Sequence, residues 1–415
     1  MRVQSGVNRR QLLARFRIPG WMLSGVAATL AFLGGVSAPV LPAHATVTLT
    51  GWTVDSGSST NANNPLTPQL PAGVSAIPQV TALPARDAAS DKVGATVGEF
   101  RVSEDGATTY RVPIYAAPGR AGVVPQIAVS YSQRGMTTGP LGTGFSLEGL
   151  SAISRCRQSR EAGDFLSDPL QDGNPHPVDF TADDAFCLDG QRLLATNDAP
   201  PTSGGGLKVF YPELDPFTRV IVHGTSLADP DYFRVQRKDG STSWYGQGRG
   251  GRLTVSAGGA TPALTWAINH FQDSLGNAIL YNYSQPAGTS GELQLDSIQY
   301  TATATAGQPA APSTSNSGFA SITFTYSALA QAAWSLSYVS GALITHSRQL
   351  DTIEVFDGAT KLRRYNLSYQ TSPSLSGLRQ LSQVEECSGL DTTVCYKPTT
   401  FTWSGARYRF ETDSE

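Results

Sequence analysis

Charge is scarce in this sequence. Only 15% of its 415 residues are Asp, Glu, Lys or Arg. Without the first 45 residues, which carry five Arg and no acid, Lys+Arg falls to 25 against 33 acids, a net charge of −8. A nucleic-acid or anionic-membrane binder needs a basic face to displace counterions, and this balance argues against both. Long amphipathic periods are missing too. No segment sustains apolar residues at i, i+3, i+4 and i+7, which argues against a helical bundle. Recognisable catalytic patterns are absent: there is no G-x-S-x-G elbow, no H-E-x-x-H and no Walker loop ending in Lys-Ser/Thr. Histidine is sparse, and His176, His223, His270 and His346 lie far from one another in sequence. The expectation is a protein that is not an enzyme.

What is present favours an all-β fold. Apolar residues make up 40% of the chain, enough for a sizeable core and too much for a disordered protein. With 42 Gly and 26 Pro, short β-branched and aromatic runs alternate with turn residues from Val93 onward. The N-terminus reads differently. Arg2, Arg9, Arg10, Arg15 and Arg17 precede an uncharged stretch from Ile18 to Ala43, and Ala43-His44-Ala45 offers small residues at −3 and −1. This is the layout of a secretory signal peptide over 1–45, cut after Ala45, which places the mature chain outside the cytoplasm, in the periplasm, at the surface or in the medium. A retained anchor is the competing reading, and Pro19, Pro39 and Pro42 make it a poor permanent helix. Asn8-Arg9-Arg10-Gln11-Leu12-Leu13 leaves twin-arginine export open. Residues 46–92, rich in Ser, Thr, Asn and Pro, read as a flexible low-complexity linker before a β domain over 93–415.

A hairpin unit recurs within that domain. Taking Asp239-Gly240 as a two-residue turn sets Val235 opposite Trp244 and puts Phe233, Val235 and Trp244 on one apolar face. Asp357-Gly358, treated alike, sets Ile353 against Leu362 and Glu354 against Lys361. A third unit runs from Trp266 through Asp273-Ser274-Leu275-Gly276-Asn277 to Tyr283, with its register open. Repetition of strand, Asp/Gly turn and strand implies an extended sheet of hairpins. Where repetition stops, an edge is left unpaired. The aromatic runs Phe401-Thr402-Trp403 and Tyr408-Arg409-Phe410 carry no obvious cap, so self-association or a downstream partner is expected there.

Two blocks carry a family resemblance. Tyr110, Pro113, Pro118, Gly119, Gly122, Pro125 and Tyr131 punctuate the first; Leu141, Gly142, Gly144, Phe145 and Gly149 lie in the second, Gly139-Pro140-Leu141-Gly142-Thr143-Gly144-Phe145-Ser146-Leu147-Glu148-Gly149-Leu150. Together they resemble the N-terminal domain of the Salmonella virulence plasmid B protein family, which also opens the B subunits of Tc insecticidal toxins and many secreted Rhs/YD-repeat proteins. Phe145 stands where that family often has Trp. Phe186-Cys187-Leu188-Asp189-Gly190-Gln191-Arg192-Leu193 and Pro398-Thr399-Thr400-Phe401-Thr402-Trp403 are similar to further segments of those proteins. The resemblance implies a non-catalytic scaffold module of a toxin-like protein. It would form part of a β-sheet shell that encloses or delivers a toxic cargo, partnered by a downstream Rhs/YD or toxin segment or a separate shell component, and directed at a host or competitor cell surface. The chain departs from the family in lacking typical YD repeats. The Glu-x-Glu that would mark an ADP-ribosyltransferase is also missing, which leaves Ser241-Thr242-Ser243 and Ser313-Thr314-Ser315 as turn material.

Four cysteines permit three pairings, and nearness in sequence favours Cys156–Cys187 and Cys387–Cys395. Zinc is the rival, weakened by the lack of C-x-x-C spacing and of a His near the second pair. No cofactor is expected; the acidic run Asp164, Asp168, Asp172, Asp179, Asp183, Asp184 and Asp189 raises calcium as a minor reading, with no EF-hand spacing. The functional alternative is an adhesive or carbohydrate-binding surface protein, in which Trp244, Tyr245, Trp266 and Trp334 would stack on sugars if exposed.

Overall fold

Strands dominate because β-branched and aromatic runs are cut short by Gly, Pro and Asp turns before any helix can propagate. The computed structural model describes residues 45–48, 94–104, 106–135, 138–158, 176–201, 205–303, 318–371 and 379–403, and no α-helix occurs among them. The chain opens with β1 (Ala45–Thr48), β2 (Glu99–Val102), β3 (Thr108–Pro113), β4 (Ala128–Ser132), β5 (Thr138–Gly139), β6 (Gly142–Thr143) and β7 (Phe145–Glu148). Next come β8 (Ala152–Cys156), β9 (Ala185–Leu188), β10 (Gln191–Ala195), β11 (Lys208–Pro212), β12 (Arg219–His223), β13 (Tyr232–Gln236), β14 (Thr242–Tyr245), β15 (Arg252–Thr254) and β16 (Ala263–Gln272). The third group is β17 (Asn277–Ser284), β18 (Gln294–Thr303), β19 (Ala320–Ala328), β20 (Ser335–Val339), β21 (Ala342–His346), β22 (Arg348–Asp357), β23 (Thr360–Thr371), β24 (Arg379–Ser388) and β25 (Thr399–Trp403).

Eight strands close into a barrel: β8 pairs β9, pairing continues in order from β9 through β14, β14 pairs β16, and β16 returns to β8, every pair antiparallel. Its interior is aromatic. Phe186 meets Phe210, Phe233 and Trp266 edge to face at 6.0, 5.1 and 5.8 Å, with Val220, Val222 and Val235 filling the layers between. Inside also lies an ion pair, Arg155 Nη1 to Asp184 Oδ2 at 2.8 Å, with side chains 0% and 2% exposed. The guanidinium further donates to the carbonyls of Ala263, Thr181 and Ala228 and sits over the Phe186 and Trp266 rings.

β16 is the branch point. Its ten residues pair first with β15 and β8 and then with β14 and β17, so one strand leaves the barrel and founds a second, open run β17-β18-β19-β22-β23-β24-β25. This run is a meander of long hairpins, as the repeated turn signals implied, with β20–β21 inserted as a separate two-stranded hairpin. Burial follows the architecture. β12, β14 and β16 are buried on both faces, whereas β19 and β22 alternate buried and half-buried positions.

Two hairpin registers differ from the sequence reading. At Asp239-Gly240 the loop holds three residues, closed by Arg237 N to Ser241 O at 3.0 Å with Gly240 at φ +82°. The extra residue sets Val235 against Ser243 and Arg234 against Trp244. Because side chains alternate, that one-residue slip moves Trp244 off the face of Phe233 and Val235 and onto that of Arg234 and His270. At Asp357-Gly358 the two-residue loop is Gly358-Ala359, and a bulge follows, so Ile353 faces Tyr365 and Glu354 faces Arg364. The Glu354–Lys361 charge pair still forms, diagonally, at 2.7 Å. The turn at Asp273–Asn277 repeats the three-residue geometry, with Asp273 N to Asn277 O at 3.0 Å.

The edge expected to be bare at Phe401-Thr402-Trp403 is covered. β25 pairs β24 through Thr399 and Thr400 on one side and β1 through all four of its residues on the other. β1 is the only described piece of the predicted leader and linker; the other residues of 1–92 lie outside the described residues, as do Tyr408-Arg409-Phe410 and Ser313-Thr314-Ser315.

Both disulfides form as nearness in sequence suggested, Cys156–Cys187 tying β8 to β9 in the barrel wall and Cys387–Cys395 bridging β24 to the loop before β25. Replacing both Cys156 and Cys187 by Ser is expected to lower the unfolding free energy by about 3 kcal/mol, and the Cys387/Cys395 double replacement by about 2, since the shorter loop restricts the unfolded chain less. Urea denaturation of the oxidised protein and the two variants measures this.

Candidate functional site

The two family-like blocks converge on one structure. Tyr110, Tyr131 and Phe145 sit side by side across β3, β4 and β7, in a four-stranded sheet of order β2-β3-β4-β7. This row packs on β25: Tyr110 and Phe145 meet Phe401 at 5.6 and 4.9 Å, and Tyr131 meets Trp403 at 5.7 Å. Pro113 closes β3, Pro118 and Gly119 enter and Gly122 ends a short turn at Arg120–Gly122, and Pro125 leads into β4. From β7 the chain turns at Gly149, where φ is +92° and a Cβ would lie 1.8 Å from the Gln126 carbonyl oxygen. Gly149→Ala is therefore expected to cost about 2–3 kcal/mol in urea denaturation. Gly190→Ala, at φ +82° with nothing near the added atom, should cost only about 1 kcal/mol.

The segment between β5 and β8 roofs a cavity of about 570 Å³. Gly142 pairs Gln380 so closely that a Cβ would come within 2.8 Å of the Arg379 carbonyl oxygen, and Pro140 O accepts from Leu350 N at 3.0 Å. These contacts fasten the roof to the open sheet. Leu141, Phe145, Leu147 and Leu150 line it from the roof, and Ala267, Tyr283, Leu295, Tyr326 and His346 from β16, β17, β18, β19 and β21. At its rim Ser151 Oγ donates to Asp189 Oδ2 at 2.7 Å and pairs with the Tyr245 hydroxyl at 2.8 Å. Burial pushes the Tyr283 and Tyr326 phenols up and the His346 imidazole down, so at neutral pH these groups are uncharged.

Other sequence candidates are scattered. Among the described acids, Asp179 accepts from Thr181, Asp184 is held by Arg155 and by the Asp179 and Phe180 amides, and Asp189 accepts from Ser151 and the Ala152 amide. No shared oxygen cage for calcium arises from these three carboxylates. Asp164, Asp168 and Asp172 lie outside the described residues. Glu385, Cys387 and Cys395 cluster, but the two sulfurs are bonded to each other and offer no thiolate to zinc. His223 stacks on Tyr232 at 4.3 Å, His270 meets Trp244 edge-on at 4.9 Å, and His346 lines the cavity, so these rings do not converge. Three of the four proposed sugar-stacking aromatics, Trp244, Tyr245 and Trp266, are buried at 1%, 0% and 0% exposure and have no face for a glycan.

Residues 102–168 and 207–334 match the family described as Salmonella virulence plasmid 65kDa B protein, SpvB. The chain carries an SpvB-like domain. Its fold is similar to the TcdB2-TccC3 crystal structure, with a TM-score of 0.55 and 15% identity over 71% of this chain and 16% of that one. It is likewise similar to the N-terminal domain of effector protein SpvB from Salmonella typhimurium strain LT2, with a TM-score of 0.51 and 20% identity over 66% of this chain and 99% of that domain. The Photorhabdus luminescens Tc holotoxin pore matches at a TM-score of 0.54 and 16% identity, over 71% of this chain and 15% of that one. The chain thus spans about a sixth of the length of the Tc proteins it matches. No curated protein matches. The sequence reading, which met Tyr283 in a hairpin unit and His346 among scattered histidines, did not group the cavity residues Tyr283, Leu293, Leu295, Tyr326 and His346, because they come from β17, β18 and the residue before it, β19 and β21 and share no local pattern.

Proposed function

We propose that this chain is a non-catalytic scaffold module of a secreted, toxin-like Rhs/YD-repeat protein, contributing to a β-sheet shell that encloses or delivers a toxic cargo. The observation that carries the reading is the branch at β16, where a closed barrel passes into an open sheet of long hairpins, in a fold shared with TcdB2-TccC3. A second feature supports a partner. Among the described residues β2 pairs only with β3, and Val97, Phe100 and Val102 on or beside it are 60%, 45% and 58% exposed. An apolar sheet edge of this kind is suited to adding a strand from another segment or component. Export through the 1–45 signal peptide belongs to the same reading.

The test is recovery of the protein from its native culture, with N-terminal sequencing, size-exclusion chromatography and mass spectrometry of what co-elutes. A mature terminus at Thr46 and a protease-resistant complex with a shell component or toxin segment, weakened by Phe100→Lys, are the expected results. A partner-free, monodisperse monomer that binds on a glycan array and loses binding with Trp334→Ala would replace the scaffold by the adhesive reading.

A further inference from the structure

We infer that the cavity under the glycine-rich roof is a binding site for a neutral, mainly apolar small molecule. This goes beyond the scaffold reading and does not depend on it. At about 570 Å³ the cavity lies in the range of small-molecule sites. Leu141, Phe145, Leu147, Leu293 and Leu295 give it an apolar body.

The inner hydroxyls of the wall are spent within the protein or withheld from the cavity. The Tyr326 hydroxyl donates to Leu295 O at 3.0 Å, and Ser151 is held by Asp189 and Tyr245. The Tyr283 hydroxyl has no hydrogen-bond partner among the described residues, but it is buried out of reach of the cavity space and offers a ligand no donor.

The electrostatics select a neutral ligand. No Lys or Arg appears among the described lining residues, and Asp189 places a carboxylate at the rim. A phosphate, sulfonate or carboxylate would enter without a countercharge and against that acid. A cation would have one exposed carboxylate, already hydrogen-bonded to Ser151 and Ala152.

The probe is prodan, a neutral naphthyl ketone whose emission reports both apolarity and hydrogen bonding at its carbonyl, titrated into the oxidised full chain. The expected result is saturable binding at one site per chain. Leu147→Trp, which fills the cavity from the half-buried edge of the roof, should abolish binding while the circular dichroism spectrum stays that of the parent. Anionic anilinonaphthalene sulfonate should not compete. Absence of saturable prodan binding, a Leu147→Trp variant that binds with the parent's affinity, or equal competition by the sulfonate would each overturn the assignment.

Discussion

Replacing Asp184 by alanine is expected to lower the unfolding free energy by about 3–5 kcal/mol, the range seen when one partner of a buried ion pair is removed. The physical reason is position. Arg155 enters the barrel on β8, where its side chain is wholly buried, and its charge is met by Asp184 at 2.8 Å and by the carbonyls of Ala263, Thr181 and Ala228. Asp184 in turn organises the chain entering β9, accepting from the amides of Asp179 and Phe180 at 2.9 Å each. Without the carboxylate, a guanidinium remains in an aromatic interior and those two amides lose their acceptor. Removing both charges should hurt less, because a buried pair gains little net stability over apolar residues of similar volume. Urea denaturation of Asp184→Ala, Arg155→Met and the double variant Arg155→Met/Asp184→Leu measures the difference. A single variant as stable as the parent would show that the pair does not hold the barrel together.

That ion pair also marks the limit of what the sequence discloses. Asp184 stood out as one of a run of acids, but nothing local joins it to Arg155, 29 residues earlier. The strand content, the two disulfides and the chain of hairpins are local properties, written in alternation, cysteine spacing and Asp/Gly turns, and these were legible. Register was only half legible. Asp239-Gly240 announces a turn, yet Gly240 takes its left-handed conformation inside a three-residue loop, and that single residue decides which face Trp244 occupies. Closure of the barrel was hidden altogether, since it depends on β16 meeting β8 more than a hundred residues earlier. The cavity was hidden for the same reason, its wall being drawn from β5, β7, β8, β16, β17, β18, β19 and β21 and the loops between them.

The displaced face of Trp244 leads to a second large effect, a loss of stability as the medium turns acidic. His270 lies against Trp244, buried and without a hydrogen-bond partner on either ring nitrogen among the described residues. Burial, with the Arg249 charge in support, lowers its pKa to about 3, and His223, buried beside Arg234, falls to about 4. Above the ordinary histidine pKa of 6.5 these rings are neutral in both folded and unfolded chains, and their contribution is fully present. As pH falls below that value the unfolded chain takes up protons that the folded chain refuses, so stability drops by about 1.4 kcal/mol per pH unit for each withheld proton. The loss continues until pH reaches the folded-state value. His346, also lowered by burial, acts in the same direction. Asp184 and Glu386, whose carboxyls burial pushes up, oppose it only as pH approaches the carboxylate range. The interval from pH 6.5 to 5 therefore isolates the histidines. Denaturation midpoints across that interval should fall steadily for the parent, and His270→Phe should flatten the slope by close to one proton while keeping the edge-on contact with Trp244. A parent whose stability is level from pH 6.5 to 5 would mean that His270 reaches solvent and titrates normally in the folded state.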